Sequence, residues 1–199
     1  IYIGGTFTQI GGKSRQYLAA VDSISGKVTD WNPHPSWYVQ TLLAYGDTIF
    51  VGGRFGSVGG AQRSNLAAID ARTGQVTSWT TSIEPGTIGG YIASVNVLRV
   101  FENTLYIGGE ALRVGGVGLL GAVDIITGEP RPSWQPHISG SVASVDALAV
   151  SSNAVYVGGR FSEVAFQSRA NLAALDAATG VPFTWNPNPN APVTTLTLS

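Results

Sequence analysis

The chain is 199 residues long, 44% hydrophobic and only 12% charged, and eleven Lys and Arg against twelve Asp and Glu leave a formal charge of −1. An ordinary apolar content excludes a disordered chain, and a balanced charge without basic clusters excludes the electrostatic footprint that nucleic acid and acidic membrane surfaces require. The absence of Cys excludes disulfides, thiolate metal sites and Cys nucleophiles, while 26 Gly and 10 Pro suit short strands joined by turns. No apolar run is long enough to span a membrane, and no basic-plus-apolar stretch reads as a signal peptide. The chain opens on Ile1-Tyr2-Ile3 and contains no Met, as expected of a processed or excised piece whose targeting signals have been removed.

In chain order, the first predicted element is a strand over 1–5 that carries Tyr2-Ile3-Gly4-Gly5. The same phrase returns as Phe50-Val51-Gly52-Gly53, Tyr106-Ile107-Gly108-Gly109 and Tyr156-Val157-Gly158-Gly159. A second phrase trails each copy: Leu18-Ala19-Ala20-Val21-Asp22, Leu66-Ala67-Ala68-Ile69-Asp70, Leu120-Gly121-Ala122-Val123-Asp124 and Leu172-Ala173-Ala174-Leu175-Asp176. Gly26, Gly74, Gly128 and Gly180 follow four residues after those Asp residues, and Trp31, Trp79, Trp134 and Trp185 close the units. The four repeats, 1–48, 49–104, 105–154 and 155–199, recur at a spacing of about 50 residues, the range of propeller blades.

The second copy shows the unit. Strands are predicted over 39–44 and 49–53, joined by Gly46-Asp47-Thr48; a Gly-rich loop over 54–64 leads to a third strand, 65–70; and Asp70 to Gly74 turns into a fourth, 75–79. Four antiparallel strands per repeat make a propeller blade, so the expected fold is an all-β propeller forming one region over 1–199. The small residues Gly52, Gly53, Ala67 and Ala68 fit strands crowded near an axis, and no stretch holds the apolar period of a helix. The segment 193–198 matches 39–43 and is read as a strand that either completes the blade the N-terminus opens, closing a four-bladed ring, or ends an arc of a larger propeller, and the missing Met favours the arc.

The phrase Tyr-Val-Gly-Gly-Arg-Phe, followed by Arg169-Ala170-Asn171-Leu172 through Thr179-Gly180 and Trp185-Asn186-Pro187, resembles the tandem propeller repeats of unknown function found in bacterial secreted and surface proteins, which are kelch-like. The resemblance covers the whole chain and implies an extracellular or cell-surface location. The segment 172–185 also resembles, over half a blade, the repeats of quinoprotein propellers.

Each repeated Asp sits in Asp-x-x-[Ser/Thr]-Gly, a pattern in which a carboxylate accepts from turn amides and Gly supplies a positive φ. The Trp residues are expected to pack between blades. Arg15, Arg63 and Arg169 recur before the third strand, as a blade-to-blade ion pair or a carbonyl clamp, and the third repeat departs from the pattern with Val117-Gly118 there and Glu110-Ala111 in place of Arg-Phe. His34 and His137 share the position Trp-x-Pro-His in alternate repeats, too far apart across a propeller for one zinc ion. No nucleophile elbow, zinc-protease motif or phosphate loop occurs, so neither a metal nor a cofactor is expected. Asp30, Glu84, Glu110 and Glu163 are the carboxylates placed on loops, where a glycosidase pair would have to converge.

Loop arithmetic selects the expected binding face. The first-to-second and third-to-fourth turns are short and point one way, whereas the second-to-third loops and the links between blades are long, varied and point the other way. Trp37, Tyr38, His34, Glu84, Tyr91 and His137 lie on that long-loop side and are the candidate binding residues. The expected function is a non-catalytic binding or scaffolding module of a secreted or surface assembly, with a protein or glycan as partner. The alternative is a propeller enzyme acting on carbohydrate or alcohol.

Overall fold

The computed structural model describes residues 1–86, 92–116 and 118–199. The chain divides into two compact units, Ile1–Thr80 and Thr81–Ser199. Both are all-β: no helix occurs among the described residues, and hence none long and apolar enough to cross a membrane.

In the first unit, Tyr2–Gly4 pairs antiparallel with Leu18–Ala20, and Val39–Tyr45, Thr48–Gly53 and Leu66–Asp70 form a three-stranded antiparallel sheet. In the second unit, the same arrangement appears twice: Ser94–Phe101, Thr104–Glu110 and Leu120–Asp124, then Ser144–Val150, Ala154–Arg160 and Leu172–Asp176. The strands read from 39–44, 49–53 and 65–70 therefore form within a residue of their expected ends. A fourth strand does not extend: 75–79 contributes only the bridge Ile69↔Val76, and Val21↔Val28, Val123↔Pro130 and Leu175↔Pro182 repeat it. In the third and fourth repeats the bridge residue is Pro, which has no N–H to continue a ladder. Residues 193–198, expected as a strand, form none, although the Val193 amide donates to the Gly159 carbonyl at 3.1 Å just as Val39 donates to Gly5 at 3.4 Å.

Small residues are required where strands meet a neighbouring repeat. A Cβ on Gly108 would lie 2.5 Å from Val145 Cγ1 and 2.9 Å from Val97 Cγ1, and one on Gly158 would lie 2.7 Å from Val193 Cγ1. The crowding comes from Val145 of the strand Ser144–Val150 at Gly108 and from Val193 of the C-terminal segment at Gly158. Aromatic pairs hold each repeat to its own Trp edge-on: Tyr2 with Trp31, Phe50 with Trp79, Tyr106 with Trp134 and Tyr156 with Trp185. Trp31 Nε1 then donates to the Asp70 carbonyl at 3.1 Å and Trp134 Nε1 to the Asp176 carbonyl at 3.2 Å, so these tryptophans do pack one repeat on the next.

The Asp turns are as expected. Asp70 Oδ1 accepts from the Arg72 and Thr73 amides and from Thr73 Oγ1 at 2.7 to 3.0 Å, and Asp22, Asp124 and Asp176 repeat the pattern. Amide donors, those of Ser25, Thr73 and Thr127 first, hold Asp22, Asp70 and Asp124 below the usual carboxylate range; at Asp176 the Thr179 hydroxyl is the largest cause. The recurring arginines are carbonyl clamps: Nη2 of Arg15, Arg63 and Arg169 donates to Thr29, Thr77 and Phe183 carbonyls fourteen residues on, fastening the second-to-third connection to the short bridge segment.

Candidate functional site

The second-to-third connection is a hairpin and not an open loop. Gln9–Ile10 pairs with Lys13–Ser14, Ser57–Val58 with Ala61–Gln62, and Glu163–Val164 with Gln167–Ser168. Each has a two-residue turn with both φ positive, the geometry that matches strand twist and calls for glycine. Gly11-Gly12 and Gly59-Gly60 meet that demand, and Gly115-Gly116 has the same backbone beside Leu112–Val114. The link between repeats pairs with this hairpin: Pro35 bridges Val58, Ile83–Pro85 pairs with Leu112–Val114, and Ile138–Ser139 pairs with Glu163–Val164. Within each unit the links and hairpins thus lie together, as the loop arithmetic expects.

In the first unit this side carries an aromatic cluster. Trp37 stacks on Tyr38 with ring centroids 4.9 Å apart, and Tyr17 packs against both at 6.1 and 5.8 Å. Trp37 remains 45% exposed. Tyr17 stands at φ 65°, where the second and fourth repeats place Asn65 and Asn171 at φ 65° and 62°. Asn tolerates that left-handed backbone and Tyr does so at a cost of about 1–2 kcal/mol. His34 is exposed, also at positive φ, and belongs to this unit, whereas His137 belongs to the other.

In the second unit the same side holds a cavity of about 600 Å³. Glu84, Arg113, His137 and Ser139 supply its polar side chains, Ala111 and Ala143 part of its apolar wall, and Gly86, Gly116, Gly118 and Gly140 leave backbone open to it. The cavity coincides with a departure from the repeat: Phe55 and Phe161 are buried plugs at the position where the third repeat has Ala111. Two of the candidate residues, Glu84 and His137, are therefore brought to one cavity. Tyr91, with the rest of 87–91, lies outside the described residues.

Sequence reasoning missed Phe166. The fourth hairpin has Ala165-Phe166 at φ 48° and 62° in place of Gly-Gly, and Phe166 is 81% exposed. Its ring lies on the His137 imidazole, centroids 4.9 Å apart and 13° from parallel. The Ala165 amide donates to the His137 carbonyl at 2.7 Å, and Ser139 Oγ donates to Glu163 Oε2 at 2.9 Å, so this hairpin forms a wall beside the cavity. The signal was present as a broken Gly-Gly pair. Of the other loop carboxylates, Asp30 pairs with Lys13 Nζ at 3.3 Å in the first unit. Glu110 ends the strand Thr104–Glu110, opposite Ser144.

No protein-family model matches the chain, and no curated protein matches it. Among solved structures it is similar to the computationally designed protein Ika4, with a TM-score of 0.52 and 18% identity over 83% of this chain and 82% of that one. The designed protein Ika8 aligns at a TM-score of 0.48 and 18% identity over 94% of this chain, which spans 61% of Ika8. The Ika4 likeness is one of fold alone and assigns no site residue.

Proposed function

We propose that the chain is a binding module of propeller type, part of a secreted or surface assembly, whose ligand sits on the long-loop side. One observation carries this reading: three departures from the repeat fall among the links and hairpins, and they add an aromatic ring or open a cavity. Tyr17 replaces Asn, Ala111 replaces Phe and Phe166 replaces Gly, while the Asp turns of the opposite connections keep one geometry in every repeat. Backbone strain without burial, as at Phe166, costs stability and persists where a surface is used. The blade-like recurrence of strands, the neighbour-packed glycines and the Trp-to-Asp bonds support the propeller reading.

The test is an array of glycans and extracellular proteins probed with the native chain and with Ala143→Phe, which places a ring in the cavity. Loss of the array signal with a retained cooperative melting transition is the expected result. Undiminished binding by Ala143→Phe removes the cavity from the site.

A further inference from the structure

We infer that the shelf formed by Phe166 and His137, with the adjoining cavity, is a subsite for a neutral hexopyranose glycan. The inference rests on the binding reading above and names its ligand class. A pyranose presents an apolar face of polarised C–H bonds and an equatorial rim of hydroxyls. The first fits the electron-rich face of a fixed aromatic ring, and the second needs carboxylate, hydroxyl and guanidinium partners beside that ring. Both are here. Phe166 turns a face to solvent with its other side supported by the His137 imidazole, so the platform is held flat by a stacked partner and by the Ala165 amide bond to the His137 carbonyl. Ser139, hydrogen-bonded to Glu163, lies on the strand that follows His137, and Glu84 and Arg113 face the same cavity.

Charge narrows the class. Two carboxylates, Glu84 and Glu163, balance two guanidiniums, Arg113 and the hairpin's Arg169, which leaves no net positive charge to select uronic acids, sulfated sugars or phosphates. A proline-rich peptide requires a groove lined by successive aromatic ridges, and this shelf offers a single stacked pair. The backbone supplies the remaining argument. Three repeats have Gly-Gly at this turn with both φ positive, and the fourth holds a phenyl ring in the left-handed region with little of it buried, so its retention is not explained by packing.

Amide NMR spectra of the whole chain, titrated with neutral hexasaccharides of glucose, galactose, mannose and N-acetylglucosamine and with a proline-rich decapeptide, test this. Saturable shifts at 137–140 and 163–168 with at least one saccharide, at up to about 10 mM, are expected. Phe166→Tyr should keep the affinity, whereas Phe166→Gly, which restores the glycine of the other repeats and leaves the melting temperature unchanged or raised, should weaken it about tenfold or more. No saccharide response, response to the peptide alone, or a saccharide response that survives Phe166→Gly overturns the inference. Shifts centred on Tyr17, Trp37 and Tyr38 would overturn it while leaving the long-loop reading intact, and shifts at the Asp turns 22–26, 70–74, 124–128 and 176–180 would overturn both.

Discussion

Replacing the repeat tryptophans one at a time by phenylalanine separates hydrogen bonding from ring burial. Trp31 is 6% exposed, meets Tyr2 edge-on at 4.9 Å and donates to the Asp70 carbonyl. Trp31→Phe removes one of two donors from that carbonyl, which keeps the Gly74 amide at 3.0 Å, a loss of about 1–1.5 kcal/mol, and the smaller ring forfeits about 1 kcal/mol of burial. A total of about 2–2.5 kcal/mol corresponds to a fall of several degrees or more in the melting temperature. Trp134, 2% exposed with the matching bond to Asp176 and the matching contact with Tyr106, should behave alike. Trp185 is 45% exposed and its Phe variant should lose less than about 1 kcal/mol. Trp79 is the control, because its Nε1 is buried with no partner among the described residues, so Trp79→Phe removes ring area and an unpaired donor together and should cost less than Trp31→Phe. Scanning calorimetry of the four variants gives the order. Equal losses at all four positions, or a neutral Trp31→Phe, would refute the hydrogen-bond assignment.

Three further outcomes follow from the same structure. The Asp70 carboxyl is held below its ordinary range by the Thr73 amide, so its contribution is fully present above the unfolded carboxylate pKa of about 3.9 and is lost as pH falls through the lower folded value. Urea midpoints should be flat from neutral pH to about 5 and drop below about 4, and Asp70→Asn should lower the neutral plateau and shallow the acid limb. Gly108→Ala should cost about 1–3 kcal/mol by urea denaturation, because its Cβ meets two valines at under 3 Å. Gly12→Ala, at positive φ with nothing within 4 Å, should lose only backbone strain, about 1 kcal/mol, by the same measurement.

Much of the fold was legible because the repeat states it several times over. Tyr/Phe-x-Gly-Gly and Leu-x-Ala-x-Asp mark two antiparallel neighbours, and their register, Phe50 opposite Ala68 and Tyr156 opposite Ala174, pairs the aromatic of one phrase with an alanine of the other. The fourth strand was misread because propensity shows apolar residues and not what they bond. At 75–79, Thr77 Oγ1 donates to the Ala68 carbonyl that its own amide also uses, and the Trp79 amide turns back to that hydroxyl, which ends the ladder. The hairpin over 54–64 was read as a loop because its strands are two residues long, too short for alternation to register. Of the residues at the cavity and the aromatic cluster, His137, Glu84, Trp37 and Tyr38 were named by loop arithmetic as candidates. Arg113 and Phe166 were not, since one depends on the pairing of Ile83–Pro85 with Leu112–Val114 and the other on the sign of φ at a turn.

Whether the links and hairpins or the short turns bind is decided most directly by pairing substitutions within each set of connections and reading one titration. A ligand recovered from the array is titrated calorimetrically into Trp37→Ala with Phe166→Gly, and separately into Asp47→Ala with Asn103→Ala, whose side chains sit on the short turns. Loss of about tenfold or more in affinity for the first pair, with the second pair unchanged, is the expected result. Full affinity in the first pair with loss in the second would place the site on the short-turn side and contradict the reading.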